Sequence, residues 1–502
     1  MKKVITSLLP AGIRSFMPLV ASVAFSSTIF ITGCNKTMVG GEDNRQGISR
    51  SDVMAATSSP SLMVTQTITD APRSITHLRK KLGICVNTFD LGNDTWGKQD
   101  ACIKALKYLK PWMIRTWIRK GNNEQKNYIN LIASNIPGQQ FCGVLDRPKY
   151  INNNNILVVN DPHDVVQWVD EQYPNKVWTM FEGPNEYNLK HPDIDNNNWP
   201  TVLLTYQAGL WDNLHHSANY DKTPLLAPSL GKRQGYGDLG SLVTPPDIFC
   251  DFGNAHSYWS AVPPGSTSPS DRIDTDLGNL AIVSGDKTVH VTECGWHNAE
   301  EADDEGQGNN PAASAQQLLP YLAEYDLRND KETEKYGWMS LFSLVDDPEI
   351  DGPIAEHHFG LFSSTLDPVK GFVPKEHGIA FHNITAILDK DRGTAAHDWG
   401  SCKIDIVGPA DVKYRYYYMG ETKRRMLVVW RRNVKIYNSE TDQMLNDPDR
   451  QDITIKFSMN RAVKVFYPHQ YEVALLKDIY SSTKEVTINL GGEAAMILME
   501  AP

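Results

Sequence analysis

The chain has 502 residues, and its 49 Lys and Arg against 60 Asp and Glu give a formal net charge of -11 at pH 7. This acidic balance excludes a nucleic-acid partner from our expectations, because phosphate binding needs a basic face. Hydrophobic residues make up 41% of the chain, which is enough for a large globular core. A chain of this length is predicted to contain more than one domain.

The N-terminus has the features of an export signal. Residues 1–33 open with two lysines and continue with small and apolar residues. The segment runs into the sequence ITGC, whose last residue is Cys34, and this tetrad resembles the lipobox of bacterial lipoproteins. The resemblance implies that Cys34 is lipidated and anchors the protein to a membrane of the bacterial cell envelope, at the outer membrane or in the periplasm. A membrane anchor or an ordinary secretory signal with an incidental cysteine is the alternative.

The next segments predict a tether and then a barrel. Residues 34–75 are rich in Ser, Thr, Gly and Asp and lack apolar periodicity, which predicts a flexible tether. From 76 to 394, short apolar runs alternate with longer amphipathic ones, as parallel strands with covering helices require. The predicted strands are 83–89, 113–118, 140–145, 177–181, 225–228, 252–258, 289–293 and 338–345. Eight such units predict an α/β fold, a (β/α)8 TIM barrel with a catalytic role.

The pattern changes near residue 395. From 395 to 502 the apolar runs are short and strand-like, turn residues separate them, and no helical run of comparable length occurs. These features predict a small C-terminal all-β sandwich, an accessory domain that follows the barrel.

Neither a metal nor a cofactor is predicted. The seven cysteines show no CxxC or metal-ligand spacing, and they are expected to be buried thiols or to form one or two disulfides. The adjacent histidine pairs at 215–216 and 357–358 lack the i, i+4 spacing of a helical zinc site.

Two glutamates follow predicted barrel strands. Glu186 lies in FEGPNEYN just past the fourth strand, and Glu293 ends the seventh strand in VHVTECGWH. In such barrels the strand ends at one face carry the chemistry. Glycoside cleavage with retention needs one carboxylic acid to protonate the leaving oxygen and one carboxylate to attack the anomeric carbon, roughly 5 to 5.5 Å apart. We predict Glu186 as general acid and base, with its pKa raised by its setting, and Glu293 as nucleophile.

The stretch FEGPNEYN is similar to the WEIWNEPN pattern of family 39 of the glycoside hydrolases, the β-xylosidase and exopolysaccharide hydrolase group. The matching residues are Glu182, Asn185, Glu186 and Asn188. The stretch departs from the pattern at Gly183 and Pro184, and Tyr187 replaces the usual proline. Over residues 76–390 the chain resembles clan A of the glycoside hydrolases, retaining barrel enzymes with the acid/base on strand four and the nucleophile on strand seven.

The resemblance to clan A also implies roles for four polar residues. Asn185 would donate to the sugar 2-hydroxyl, a contact that strengthens in the transition state. Arg115, on the predicted second strand, would keep the nucleophile ionised, since a buried arginine needs an ionised partner. His256 and Tyr258, in NAHSY, would lie beside the nucleophile. A turn residue, a structural ion pair and ordinary core or rim positions are the alternatives.

Other residues near predicted strand ends have simpler expectations. Trp296 and Trp338 are predicted to stack on sugar faces, with core packing as the alternative. Glu182 is expected to be structural or an outer part of the polar network, because it precedes Glu186 by four residues.

Taken together, these features predict a lipid-anchored retaining glycoside hydrolase that cleaves O-glycosidic bonds of a polysaccharide or oligosaccharide at the cell envelope. A non-catalytic glycan-binding envelope lipoprotein is the rival from another class, and the presence of both carboxylates argues against it. A transglycosylase would use the same residues, with a second sugar in place of water.

Overall fold

The computed structural model covers the region that follows the predicted signal segment. The residues it describes are 62–151, 157–190, 198–231, 233–242, 249–259, 273, 279–280, 282–299, 308–329, 334–348, 357–389, 402–420, 423–432, 434–438, 443–445, 449–470 and 476–500. The predicted signal segment, Cys34 and most of the predicted tether lie outside these residues. Pro60–Pro502 form one compact unit.

Strands dominate the described residues, and they fall into two large sheets and three two-stranded ones. The strands are β1 (Met63–Thr67), β2 (Arg73–Ser74), β3 (Gly83–Cys85), β4 (Met113–Trp117), β5 (Gln140–Val144), β6 (Lys149–Ile151), β7 (Leu157–Val159), β8 (Met180–Glu182), β9 (Leu225–Leu226), β10 (Gly253–Tyr258), β11 (Val289–Gly295), β12 (Tyr336–Leu341), β13 (Phe362–Asp367), β14 (Gly371–Pro374), β15 (Ile404–Pro409), β16 (Val412–Met419), β17 (Arg424–Arg431), β18 (Tyr437–Asn438), β19 (Gln443–Met444), β20 (Gln451–Phe466), β21 (Leu476–Leu490) and β22 (Ala494–Met499).

Helices alternate with the strands of the first half of the chain. They are α1 (Thr76–Arg79), α2 (Gln99–Leu109), α3 (Asn123–Asn135), α4 (Pro162–Gln172), α5 (Tyr187–Lys190), α6 (Trp199–His215), α7 (Arg233–Gly240), α8 (Pro311–Leu327) and α9 (Glu376–Leu388). Among the described residues, no helix is both long enough and apolar enough to cross a membrane.

Eight parallel strands form a TIM-like barrel. Their order in the sheet is β10-β11-β12-β3-β4-β5-β8-β9, which is the chain order of eight consecutive strand units. A parallel bridge between Leu226 and Phe252 brings the two ends of this sheet together. All eight predicted barrel strands are present, so the predicted fold class is confirmed.

The alternation of strand residues decides what enters the barrel. On β4, Ile114 packs in the outer core with the helices, whereas Met113 packs in a separate cluster inside the barrel. Arg115 and Trp117 lie two and four residues after Met113 and therefore share its inward face. A charged residue on this face needs partners inside the barrel.

The C-terminal region is all-β and antiparallel, apart from one short parallel pair. Its strands form a sheet in the order β1-β15-β20-β22-β17-β16-β2, with β21 also paired to β20. The long strand β20 pairs with β15 in its first half and with β22 in its second half. This mostly-β region covers the residues for which the accessory sandwich was predicted, and its division from the barrel as a separate domain stays a prediction.

The end of the predicted tether is not a tether. Residues 63–67 form the edge strand β1, antiparallel to β15 over five residue pairs from Met63–Pro409 to Thr67–Asp405. The two residues of β2 pair with β16. The physical reason is that β1 gains its order from main-chain pairing with a distant strand, which the polar composition of the segment does not report.

One face of this sheet packs on the barrel, and the other has its own core. On β17, Met426, Val428 and Trp430 belong to the large cluster that includes the barrel residues. Leu427 and Val429, on the opposite face, belong to a second cluster within the C-terminal region. The strand is therefore buried on both faces, and the two regions share an apolar interface.

The six cysteines among the described residues are free thiols, and all are buried except Cys402, which is partly exposed. The sequence left open buried thiols or one or two disulfides, and these six residues are thiols.

Candidate active site

Glu186 is held at the C-terminal end of the barrel by backbone contacts to the next strand unit. Its N–H donates to the carbonyl of Ser229 at 2.9 Å, and Asn185 forms a parallel bridge with the same serine. The φ angle of Glu186 is 44°, in the left-handed region that non-glycine residues rarely adopt. Such a conformation costs on the order of 1–3 kcal/mol and is typical of functional sites. The loop thus fixes the Glu186 side chain at the barrel mouth.

Gly183 has a steric reason to interrupt the motif. A Cβ at this position would lie 2.3 Å from Oε1 of Gln207 and 2.9 Å from the backbone nitrogen of Pro228. The chain after β8 therefore passes too close to the chain after β9 for any side chain at this position. The departure from the family pattern follows from this local packing.

Arg115 is the centre of the polar network inside the barrel. Its Nε and Nη2 donate to the two carboxylate oxygens of Glu182 at 2.6 and 2.8 Å. The same guanidinium donates to Oε1 of Glu293 and to Oδ1 of Asn185, each at 2.6 Å. The side chains of Arg115 and Glu182 are fully buried. One arginine thus orients three residues from two other strand units.

Glu293 is held at both of its oxygens. Arg115 binds Oε1, and the Tyr258 hydroxyl donates to Oε2 at 2.6 Å. The Nδ1 of His256 lies 2.8 Å from Oε1 of Glu186 and 3.4 Å from Oε2 of Glu293. His256 therefore lies between the two glutamates predicted to carry the chemistry.

The pKa shifts follow from burial opposed by charge. Burial favours the neutral form of Glu182, but the charge and hydrogen bonds of Arg115 and the contact with His256 outweigh it and lower the pKa of Glu182 to about 2. Burial also opposes the charge on Arg115, but Glu182 and Glu293 raise its pKa well above the ordinary value. Burial opposes protonation of His256 as well, yet Glu293, Glu182 and Glu186 raise its pKa to about 9. At neutral pH the site therefore holds two cations among three carboxyl groups.

The two glutamates are close. One carboxylate oxygen each from Glu186 and Glu293, together with a ring nitrogen of His256, lie within 4.8 Å of one another. Among the described residues, this is the one group of histidine, cysteine and acidic side chains that is close enough to ligate a single metal ion. A protonated imidazole is not a metal ligand, so the charge of His256 favours a hydrogen-bonded role for it.

The structure brings together six of the predicted site residues, whose catalytic roles remain predictions. These residues are Glu186, Glu293, Asn185, Arg115, His256 and Tyr258. Glu182, which was expected to be structural or an outer part of the network, is the bidentate partner of Arg115. Its depth in the barrel was not predicted, although its position directly after the apolar run that ends at Phe181 was a usable signal.

The two predicted tryptophan platforms lie elsewhere. Trp338 is in the middle of β12, inside the barrel, where its Nε1 donates to the sulfur of Met180 and its ring stacks on His290. These neighbours lie near the N-terminal ends of β8 and β11, away from the site. Trp296 is 3% exposed and packs against Trp259, with ring centroids 4.6 Å apart. Both tryptophans are buried in apolar clusters, which matches the core packing named as the alternative.

Sequence reasoning missed a group of basic and aromatic side chains that we call the basic rim. Its members, all partly exposed, are Phe89, Trp117, Arg119, Arg147 and Tyr150. They lie at or after the C-terminal ends of β3, β4 and β5. Their position just past three predicted strands was the signal available in the sequence.

The arrangement defines a class: a (β/α)8 barrel with paired carboxylates at its C-terminal mouth. No protein-family model matches the chain, and no curated protein is similar to it. Solved structures with a similar fold include the β-glucuronidase of Faecalibacterium prausnitzii, with 12% identity and a TM-score of 0.39 over 61% of this chain and 48% of that one. The chain thus spans about half the length of that protein.

Two further structures are similar over nearly their whole length. A glucosidase from Croceicoccus marinus has 10% identity and a TM-score of 0.45, over 84% of this chain and 98% of that one. A β-1,3-glucanosyltransferase of Rhizomucor miehei has 14% identity and a TM-score of 0.39, over 58% of this chain and 96% of that one. Similarities at this level support no argument on activity, which depends on the site itself.

Proposed function

We propose that the protein is a retaining glycoside hydrolase. The observation that carries this proposal is the pair of glutamates, whose nearest oxygens lie within 4.8 Å. This contact is closer to the separation of double displacement, in which the carboxyl groups are about 5 to 5.5 Å apart, than to the roughly 6.5 to 9.5 Å of an inverting site.

The contacts of the two glutamates support different roles. Glu293 is held by Arg115 and Tyr258, both donors to its carboxylate, and these contacts fix the orientation that a nucleophile requires. Glu186 is the more exposed of the two, with 17% of its side chain accessible against 6% for Glu293. It can therefore meet both the leaving group and the incoming water.

The proposed reaction has two displacements. The Glu293 carboxylate attacks the anomeric carbon while Glu186 gives its proton to the glycosidic oxygen, so the bond between carbon and leaving group breaks. Glu186 then takes a proton from water as the water oxygen attacks the same carbon, which releases Glu293 and restores both groups. The side-chain oxygen of Asn185 accepts a hydrogen bond from Arg115. The amide NH2 of Asn185 is therefore oriented as a donor to the sugar 2-hydroxyl.

The test is hydrolysis with stereochemical analysis. Purified protein is incubated with a panel of polysaccharides and aryl glycosides, and the configuration of the first product is read by proton NMR. We expect retention, with activity abolished in Glu186→Gln and Glu293→Gln and unchanged in Glu124→Gln, an exposed helix residue. Azide should rescue Glu293→Ala and give a glycosyl azide of inverted configuration. Inversion in the wild-type reaction, or full activity of Glu293→Gln, would refute the mechanism.

The same site serves a transglycosylase if a sugar hydroxyl replaces water in the second displacement. Product analysis at high substrate concentration distinguishes the two, because transfer yields chains longer than the substrate. We include in the proposal a relationship to family 39, which depends on the four residues of FEGPNEYN that match the family pattern.

We also propose that the protein is exported and lipidated at Cys34, at the bacterial cell envelope. The support is the sequence of residues 1–34, with its two lysines, apolar run and ITGC tetrad. Metabolic labelling with radioactive palmitate should mark the wild-type protein and leave Cys34→Ser unlabelled. Equal labelling of both would exclude Cys34 as the anchor.

A further inference from the structure

The basic rim lies on the same edge of the barrel as Glu186. Trp117 and Glu182 lie at the same level of the barrel, because each of them pairs with Val144 on β5. Arg119 follows Trp117 by two residues, and Glu186 follows Glu182 by four. Parallel strands end at one face, so the basic rim borders the carboxyl group proposed as the general acid.

The two arginines of the basic rim lie beside acidic residues. Nη1 of Arg119 lies 2.7 Å from Oδ1 of Asp146, a buried carboxylate. Burial and the neighbouring Arg119 lower the pKa of Arg147 to about 10, which is still far above neutral pH. Asp146 and Glu186 are among the residues that act on the charge of Arg147. The two guanidinium groups thus lie beside each other and beside the proposed general acid.

Aromatic rings hold this charge in place. The Arg119 guanidinium lies over the ring of Phe89 at 4.6 Å and within 6.0 Å of the ring of Tyr150. Phe89 makes an edge contact with Trp117, with ring centroids 5.9 Å apart. Trp117 in turn lies 5.0 Å from the guanidinium of Arg115, the residue that binds Glu293. Partly exposed rings beside fixed guanidinium groups suit a sugar face and an attached anion at the same time.

We propose that the basic rim is a subsite for an anionic sugar, so that the substrate is an acidic glycan. The anion is a carboxylate of a uronic acid or a sulfate ester, both of which present oxygens that match the guanidinium fork. The protein as a whole has a net charge of -11, which repels acidic glycans from the rest of its surface. A basic subsite is therefore a specific feature of this protein. The inference depends on the proposed glycosidase activity and names its substrate class.

The experiment compares acidic polysaccharides with their neutralised forms. The acidic substrates are hyaluronan, alginate, xanthan and chondroitin sulfate. They are tested unmodified and after their carboxyl groups have been reduced by carbodiimide activation or their sulfate esters have been removed by solvolysis. Laminarin and xylan are the neutral references. Reducing-sugar release gives kcat/KM. We expect kcat/KM on the acidic form to exceed that on its neutralised form by about tenfold or more. Loss of cleavage on carboxyl reduction identifies a carboxylate, and loss on desulfation identifies a sulfate ester.

Variants of the two arginines test the assignment to the basic rim. Arg119→Gln and Arg147→Gln should each lower kcat/KM on the acidic form by about tenfold more than on the neutralised form. Arg119→Lys and Arg147→Lys retain the charge, so they test the subsite if the glutamine variants do not fold. Lys120→Gln is the matched control, since Lys120 neighbours Arg119 in sequence but pairs with Asp164 at 3.0 Å.

The outcomes separate the two proposals. Equal cleavage of acidic and neutralised forms by the wild type, or arginine variants that keep full activity on the acidic form, would overturn the inference while hydrolysis stands. Cleavage of neutral references alone would overturn it in the same way. Failure of the wild type to cleave any substrate in the panel would count against the proposed hydrolase and the inference together.

Discussion

Replacing Tyr258 by Phe removes the hydrogen bond from its hydroxyl to the proposed nucleophile. The Tyr258 hydroxyl donates to Oε2 of Glu293 at 2.6 Å, while its ring packs edge-on against Phe342 and Phe359. Phenylalanine retains these ring contacts. A hydrogen bond to a charged group contributes about 1.5–3 kcal/mol, which corresponds to roughly a 10- to 150-fold change in rate. We therefore expect kcat/KM to fall by about that factor with the fold intact.

The assay is steady-state kinetics on the best substrate of the panel, with circular dichroism and thermal melting to confirm the fold. Tyr220→Phe is the matched control, because its hydroxyl also donates at 2.6 Å, to the carbonyl of Tyr173, remote from the glutamates. This control should retain wild-type kinetics. If Tyr258→Phe changes kcat/KM by less than about threefold, the hydroxyl does not hold the nucleophile and the site has been misassigned.

Three further predictions concern the network and its surroundings. Arg115→Lys keeps a charge but cannot reach Glu182 and Glu293 together, so the free energy of unfolding should fall by about 3–5 kcal/mol in urea denaturation; an unchanged midpoint would contradict the central role of Arg115. The pKa of His256, raised from 6.5 to about 9, means that its protonated form stabilises the fold fully below about pH 6.5 and that this contribution is lost as pH rises through about 9. Between pH 6.5 and pH 9 the melting temperature should decline in the wild type and stay level in His256→Asn. If the melting temperatures of the two proteins change with pH in the same way, His256 is not the cause of the decline. Trp338→Phe should lower stability by about 1 kcal/mol without raising KM; a large rise in KM would place Trp338 at the substrate.

The barrel could be predicted because its strands are short apolar runs and most of them have a helical segment after them. Strand limits were less predictable, because buried parallel strands are apolar on both faces and give no register. The eighth strand was expected at 338–345 and lies at Tyr336–Leu341, so Trp338 is in mid-strand. Trp296 does follow its strand, but Gly295 before it has a φ of 128°, and the chain turns the indole into the outer core.

The polar network could be predicted in part, from the positions of Arg115, Asn185, Glu186 and Glu293 near strand ends. The bidentate pair of Arg115 and Glu182 depends on how far β4 and β8 are shifted along each other, which the sequence does not report. The basic rim depends on loops after three strands, whose side chains meet only in the folded barrel. Long-range pairing of this kind leaves no local pattern.

The pairing of β1 with β15 also bears on the order in which the chain can fold. The Gln66 side chain donates to the carbonyl of Val412, a separation of 346 residues. A chain synthesised from its N-terminus therefore carries β1 as an unpaired segment until the whole barrel and β15 have been made. Contacts this distant in sequence slow folding, because the intervening loop must close first. Removing residues 402–502 would leave β1 without its partner, so the barrel made alone would retain an unpaired strand segment prone to association with other chains.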